Sequence, residues 1–245
     1  MNFLRELSSD IGIFFSNIEP STETIIFAFL GGLLPALLWL WFWLKEDALH
    51  PEPRRYITLT FIAGILTVPL VLPFQIAVYN NFTDPTLMII LWAGIEEVMK
   101  FVIAYIVALN QRFVDEPIDM VIYMITVALG FAAAENALFI FHPLTDGNTL
   151  VSIITGNLRF IGSTLLHVFA SATIGVMLGF AFYKGTLKRF YATMIGIILA
   201  TALHTLFNFF IIEDNGKYTF LVFATVWAAI IMLILMFERI KRIYK

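Results

Sequence analysis

The sequence contains no cysteine and few charged residues. Cysteine is absent from all 245 positions, which excludes disulfides, thiol catalysis and cysteine-ligated metal sites. Only 13% of the residues are charged and 60% are hydrophobic, whereas soluble domains carry about 25% charged and about 45–50% apolar residues. So few charged residues cannot cover a surface that faces water. The shortage of polar surface implies that much of the protein contacts lipid. The formal net charge of -3 is small and does not suggest a nucleic-acid partner.

Long apolar segments account for most of the chain. A helix needs roughly 20 apolar residues to cross the hydrocarbon core of a bilayer. The sequence therefore predicts an all-α integral membrane protein with about seven transmembrane helices, and it predicts a loop for the outer connection 142–157. The predicted spans are Ile25–Leu44, Tyr56–Val78, Thr86–Leu109, Ile118–Phe141, Leu158–Tyr183, Phe190–Ile212 and Tyr218–Phe237.

The N-terminal segment differs from these spans because it is shorter and amphipathic. In Met1–Ile18, apolar side chains recur on one face, opposite charged residues such as Arg5 and Asp10. This pattern is typical of a helix that lies on the membrane surface. The predicted organisation is an amphipathic segment over residues 1–24 and a polytopic membrane domain over residues 25–245.

Lysine and arginine concentrate at one set of span ends, which indicates the cytoplasmic side of the membrane. The opposite ends hold only Arg5 and Lys217. This bias predicts a multi-pass protein of the cell membrane with its N-terminus outside and its C-terminus in the cytoplasm. The cations at the predicted cytoplasmic ends are Lys45, Arg54, Arg55, Arg112, Lys184, Lys188, Arg189, Arg239, Lys241, Arg242 and Lys245.

Four consecutive spans contain polar residues at depths where lipid disfavours charge. Such residues are functional hypotheses by default. Counting from the outer span ends places all of them in the outer half of the bilayer, where they can meet in one polar cavity. The residues are Glu96, Glu97 and Lys100 in the third span, Glu135 and Asn136 in the fourth, His167 in the fifth, and His204 and Asn208 in the sixth.

Helical spacing supports this convergence. Glu96 and Lys100 are four residues apart and share a helix face, as do His204 and Asn208. The alternative is structural: the Glu–Lys pair forms only an ion pair, the histidines only bridge helices, and Glu135 only clasps a neighbouring helix. The shared depth of the whole set weakens these separate explanations.

Four motifs at these positions resemble the PrsW family of intramembrane proteases, in the superfamily that contains the CAAX prenyl endopeptidases. The motifs occur in order on consecutive spans, and the resemblance covers roughly residues 35–209. They are E-E-x-x-K from Glu96 to Lys100, F-x-x-x-E-N from Phe131 to Asn136, H-x7-G from His167 to Gly175, and H-x-x-x-N from His204 to Asn208.

The resemblance implies cleavage of peptide bonds within or near the membrane, and a membrane-anchored protein substrate similar to an anti-sigma factor. It also implies that Glu96 is the general base, because the first glutamate of this motif has that role in CAAX enzymes. One position departs from the CAAX pattern. Glu135 stands where those enzymes have a histidine, so their mechanism does not transfer unchanged.

Two mechanisms use nearly the same residues. In a metal-free scheme Glu96 or Glu97 activates the water, His167 holds that water, and His204 with Asn208 stabilises the oxyanion. In a metal scheme His167, His204 and one glutamate, with Glu96 the candidate, bind Zn²⁺ and leave an open position for water. The sequence leaves both schemes open.

Two rival functions also account for intramembrane Glu, His and Lys. An ion- or proton-coupled transporter uses such residues as a proton relay, although no matching pair of Gly/Pro-interrupted spans is evident. A non-catalytic membrane protein uses them as structural contacts. Serine catalysis is disfavoured because neither Ser163 nor Ser171 lies in a nucleophile motif.

Overall fold

The computed structural model describes residues 21–46, 51–212 and 219–243, and all regular structure in these ranges is helical. The surface helix predicted for Met1–Ile18 lies outside the described residues. The helices are α1 (Thr22–Glu46), α2 (Arg54–Asn81), α3 (Pro85–Ala104), α4 (Asp119–Thr145), α5 (Thr149–Leu158), α6 (Thr164–Phe180), α7 (Thr186–Ile212) and α8 (Thr219–Ile240). Five-residue π-helical turns follow α3 (Tyr105–Leu109) and join α5 to α6 (Arg159–Ser163).

Within the residues that the structure describes, six helical segments are long and apolar enough to cross a membrane by length and composition. They are α1, α2, α4, the continuous α5–α6 segment, α7 and α8. Helix α3 has 20 residues and is the predicted third span, but three charged residues interrupt its apolar sequence. The chain is therefore a multi-pass, all-α membrane protein, as the sequence predicts.

Helix α4 occupies the centre of the bundle. Every residue from Asp119 to Ala133 is buried, and α4 packs against α1, α2 and α6. A helix that is hydrophobic all round is expected to be buried on all sides. The peripheral helices differ, because α1 and α7 expose large apolar side chains such as Leu34 and Ile198. In a membrane these side chains face lipid.

Two glycines allow α2 to cross α4 at close range. A Cβ placed on Gly64 would lie 2.3 Å from the carbonyl oxygen of Val127, and one placed on Gly130 would lie 2.0 Å from the carbonyl oxygen of Phe61. Small residues at such crossings let membrane helices approach closely. This crossing fixes α2 against the central helix, and α2 carries a polar residue of the site described below.

The connection between the fourth and fifth spans differs from its prediction. The prediction of a loop over residues 142–157 is wrong, because α4 continues to Thr145 and α5 begins at Thr149. Only a short turn separates the two helices, and Gly147 provides its left-handed conformation with φ of 76°. Asn148, Gly156 and Asn157 are turn-forming residue types, but α5 accommodates the last two near its end.

Candidate active site

The polar residues predicted from four spans meet in one buried network of hydrogen bonds and ion pairs. The rings of His167 on α6 and His204 on α7 are edge to face, with centroids 5.0 Å apart. Glu97 and Lys100 of α3 lie between these helices, and both are fully buried. Seven of the eight predicted site residues take part: Glu96, Glu97, Lys100, Glu135, Asn136, His167 and His204.

Both carboxylate oxygens of Glu97 are occupied by hydrogen bonds. Its Oε1 accepts from Lys100 Nζ at 2.7 Å and from His204 Nδ1 at 3.0 Å. Its Oε2 accepts from Ser171 Oγ at 2.7 Å. Glu97 therefore joins α3, α6 and α7, and it has no free oxygen with which to act on a substrate.

Lys100 lies at the centre of the network. Its Nζ lies 2.7 Å from Glu97 Oε1, 2.9 Å from His167 Nδ1 and 3.8 Å from Glu96 Oε2. The ammonium also lies 4.2 Å from the ring centroid of Phe131, within the range of a cation–π contact. One cation thus offsets the charge of two neighbouring carboxylates and contacts a histidine.

These contacts determine which nitrogen of each histidine carries its proton. A lysine ammonium only donates, so Nδ1 of His167 accepts from Lys100, and Nε2 of His167 donates to Glu135 Oε2 at 2.8 Å. The carboxylate of Glu97 only accepts, so Nδ1 of His204 donates to it. The lone pair on Nε2 of His204 therefore faces Glu96 Oε2, 3.7 Å away.

Glu96 differs from Glu97 because one of its oxygens has no hydrogen-bond partner. Its Oε1 accepts from Gln75 Nε2 of α2 at 3.0 Å, whereas the buried Oε2 has none. A buried carboxylate oxygen without a hydrogen bond is costly, and this one lies beside a histidine lone pair. Within the described residues, Glu96 is the site carboxylate best placed to accept a ligand or a proton.

The outer edge of the network is formed by an arginine and its acceptors. Arg159 donates from Nη2 to Glu135 Oε2 and from Nε to Asn136 Oδ1. Asn136 in turn donates from Nδ2 to Thr164 Oγ1 at 2.8 Å. The side chains of Glu135 and Arg159 are 21% and 15% exposed, compared with 9% for Glu96. Glu135 and Arg159 are therefore more exposed than Glu96.

Asn208 is the predicted site residue that joins none of these hydrogen bonds. It lies one turn beyond His204 on α7 and is half-buried. Four other residues contribute without having been predicted: Gln75, Arg159, Thr164 and Ser171. Of these four, only Ser171 was considered from the sequence, as a poor nucleophile. An amide within the apolar sequence of α2 is a signal that could have identified Gln75.

The donor set can hold a divalent metal ion. One ligand atom each from Glu96, His167 and His204 lies within 4.8 Å of the others. Tetrahedral zinc ligands at about 2.0–2.1 Å from the ion are roughly 3.3 Å apart, so the set is slightly expanded. Glu96 Oε2 and the Nε2 lone pair of His204 are free, and Glu97 orients His204 as carboxylates commonly orient metal-binding histidines. At His167 both ring nitrogens already have partners, Lys100 at Nδ1 and Glu135 at Nε2, so an ion would take the place of one of these two contacts.

An all-helical membrane protein with a buried two-histidine, one-carboxylate donor set fits the class of membrane-embedded hydrolases. The family model described as PrsW family intramembrane metalloprotease matches residues 52–236. The chain belongs to this family and is an intramembrane peptidase. Membership of a peptidase family favours the protease hypothesis over the alternative of an ion- or proton-coupled transporter.

Curated relatives support the same assignment. The chain is 27% identical over 207 residues to Protease PrsW of Geobacillus kaustophilus, covering 81% of this chain and 87% of the relative. It is 28% identical over 220 residues to Protease PrsW of Shouchella clausii, covering 87% and 95%, and 25% identical over 196 residues to that of Clostridioides difficile, covering 76% and 79%. No solved structure matches the chain at a significant level.

Proposed function

We propose that Glu96, His167 and His204 form the catalytic centre at which this peptidase activates water to cleave a membrane-anchored protein. One observation carries the proposal. Glu96 Oε2 is buried without a hydrogen-bond partner, 3.7 Å from the Nε2 lone pair of His204. A metal ion placed against these two atoms could be coordinated by both. A water molecule placed there could form hydrogen bonds to both.

The three residues are the set that would hold a divalent ion. When bound, such an ion supplies Lewis-acid chemistry and lowers the pKa of a water ligand. Without an ion, the free oxygen of Glu96 is the atom that takes a proton from the attacking water. We expect the metal-dependent form, because the two histidines and Glu96 converge and Glu97 already fixes the ligand tautomer of His204.

The remaining site residues keep these three in place. Glu97 holds His204 and Lys100, and Lys100 offsets the charge of the adjacent carboxylates. Asn136 contacts Arg159 and Thr164 across helices. Asn208 is assigned to the oxyanion of the tetrahedral intermediate, because it lies one turn from His204 and its amide is not used in the network.

The substrate proposed is a single-span protein similar to an anti-sigma factor, as the resemblance to the family implies. Burial of the centre within the helical bundle supports a substrate that is itself in the membrane. The proposed protease domain extends over residues 25–245, which includes all four helices that supply the predicted site residues, and residues 1–24 form the proposed amphipathic segment.

The lysine and arginine bias supports an orientation with the N-terminus outside and the C-terminus in the cytoplasm. Because the chain has no cysteine, single introduced cysteines report topology without background. Cysteines at Asp84 and Asn148 should react with an impermeant thiol reagent applied to intact cells, and a cysteine at Lys188 should not. Labelling at Lys188 with protection at Asp84 would reverse the proposed orientation.

The catalytic assignment is tested by Glu96→Gln in purified protein reconstituted in liposomes with a single-span reporter substrate. Loss of a general base or a metal ligand is expected to lower the rate of cleavage by about 10²–10⁴-fold. The matched control is Glu238→Gln, because Glu238 is exposed and pairs with Lys241 at the end of α8. Cleavage by Glu96→Gln at the rate of the control would refute the proposal.

A further inference from the structure

Arg159 is a mostly buried cation that the proposed chemistry does not use. It begins the π-helical turn Arg159–Ser163 between α5 and α6, at the outer edge of the network. Burying a cation is costly unless its charge and hydrogen-bond donors find partners. Its hydrogen-bond acceptors are two adjacent residues of the central helix, Glu135 and Asn136.

The guanidinium of Arg159 contacts three side chains of α4. Its Nη2 donates to Glu135 Oε2, and its Nε donates to Asn136 Oδ1 at 2.6 Å. Its central carbon lies 3.8 Å from the ring centroid of Phe139, which lies one turn further along the helix. A planar guanidinium with a rigid fork of donors can make all three contacts at once, whereas an ammonium is a point charge.

The π-helical turn that carries Arg159 is itself held by packing. A Cβ placed on Gly162 of this turn would lie 2.2 Å from the ring of Phe223 on α8, so the turn lies directly against that ring. Single π-helical turns within helices are often found at functional sites. Arg159 therefore projects from a segment whose position is set by α8 as well as by α6.

One oxygen of Glu135 links Arg159 to the proposed catalytic centre. Glu135 Oε2 accepts from Arg159 Nη2 and also from His167 Nε2 at 2.8 Å. We propose that Arg159 is a positioning residue that fixes Glu135 against α4 and, through that carboxylate, orients the ring of His167. The inference rests on the proposed function, because it assigns meaning to the orientation of His167.

The test compares the effect of Arg159→Met in two backgrounds, using purified protein and the single-span reporter. In the otherwise native chain we expect kcat to fall about 10–100-fold, the range typical of residues that orient a ligand from outside, with KM changed less than about threefold. In a Glu135→Gln background the same substitution should lower kcat less than about threefold, because its route of action is already lost.

Two variants accompany this comparison. Arg159→Lys keeps the charge but not the fork, so it should recover only part of the activity. Arg189→Met is the matched control, because Arg189 also lies over an aromatic ring, that of Phe182, but belongs to the first turn of α7. The Arg189→Met protein should cleave the reporter at the native rate. If Arg159→Met fails to fold, the comparison between the two backgrounds is made with Arg159→Lys.

The outcomes separate this inference from the proposed function. An equal loss of kcat in both backgrounds, or a rise in KM with kcat unchanged, overturns the positioning role and indicates a structural or substrate-binding role. Full recovery by Arg159→Lys also overturns it, because charge alone would then suffice. If Glu96→Gln is inactive while any of these results is found, only the inference about Arg159 fails. If Glu96→Gln is active, the proposed function itself fails.

Discussion

The central helix α4 carries two polar clusters, one at its N-terminus and one in its C-terminal half, and the two clusters differ in what their acidic groups contact. Toward its C-terminal end, Glu135 and Asn136 join a network of side chains from α3, α6 and α7. At its N-terminal end, Asp119 Oδ2 accepts from the backbone N–H groups of Asp115 and Glu116, both at 2.9 Å. The first cluster links side chains across helices, and the second fastens a connecting segment to the helix.

The N-terminal cluster also ties α4 to the segment that precedes α2. Tyr123, fully buried, donates from its hydroxyl to Glu52 Oε2 at 2.7 Å. Tyr123 and Glu135 are twelve residues apart, or about 18 Å along the helix. The two clusters therefore act on separate regions of the protein, and their contributions to activity and stability can be measured separately.

The comparison shows why burial of charge alone does not identify an active site. Asp119 and Glu97 are equally buried. Asp119 accepts hydrogen bonds at Oδ2, and Glu97 accepts them at both of its carboxylate oxygens. Glu96 is different because its buried Oε2 lacks a hydrogen-bond partner and faces a histidine nitrogen. A free ligand atom beside other ligand atoms distinguishes the proposed catalytic cluster from the structural one.

Glu97→Gln should produce the largest combined loss, in activity and in stability. The substitution removes the charge that pairs with fully buried Lys100 and the acceptor that orients His204. We expect cleavage to fall about 10–100-fold and the free energy of unfolding to fall by about 3–5 kcal/mol, as for other broken buried ion pairs. Both are measured on purified protein, by reporter cleavage and by denaturation in detergent.

Ser171→Ala is the control for that variant, because it removes one hydrogen bond to Glu97 and leaves its charge. It should cost about 1–3 kcal/mol and retain most of the activity. Glu96→Gln should show the opposite pattern, with activity lost and stability little changed, because Oε2 of Glu96 has no hydrogen bond to lose. Equal stability losses in the two glutamate variants would contradict the distinction between them.

Tyr123→Phe should have the smallest effect on activity, because it changes only the N-terminal cluster. Losing a hydrogen bond to a charged acceptor should lower the free energy of unfolding by about 1.5–3 kcal/mol. The rate of reporter cleavage should remain within about twofold of the native rate, because the site lies about 18 Å away. A tenfold loss of cleavage by folded Tyr123→Phe would show that the two clusters are coupled.

Much of this arrangement could be predicted from the sequence, because lipid constrains it strongly. Hydropathy identified the spans, and counting residues from their ends brought Glu96, Glu135, His167 and His204 to one depth. The pairing of Arg159 with Glu135 could not be predicted in this way. It depends on the π-helical turn after α5, and the predicted loop over residues 142–157 concealed that α5 exists.

The contribution of α2 was not predicted, because α2 has no ionisable residue near its middle. Gln75 is uncharged, yet its amide fixes one oxygen of Glu96 and leaves the other free. The distinct roles of Glu96 and Glu97 likewise depend on contacts from three other helices. Spacing along α3 predicts that the two side chains point in different directions, but not which of them is fully hydrogen-bonded.

The metal content of catalytically active protein tests most directly whether Glu96, His167 and His204 hold a metal ion. If Glu96, His167 and His204 hold a catalytic ion, purified active protein should contain about one zinc or similar divalent ion per chain. Chelation should remove the ion together with the activity, and added zinc should restore both in the native chain but not in His167→Ala/His204→Ala. Full cleavage activity in protein free of bound metal would contradict the account.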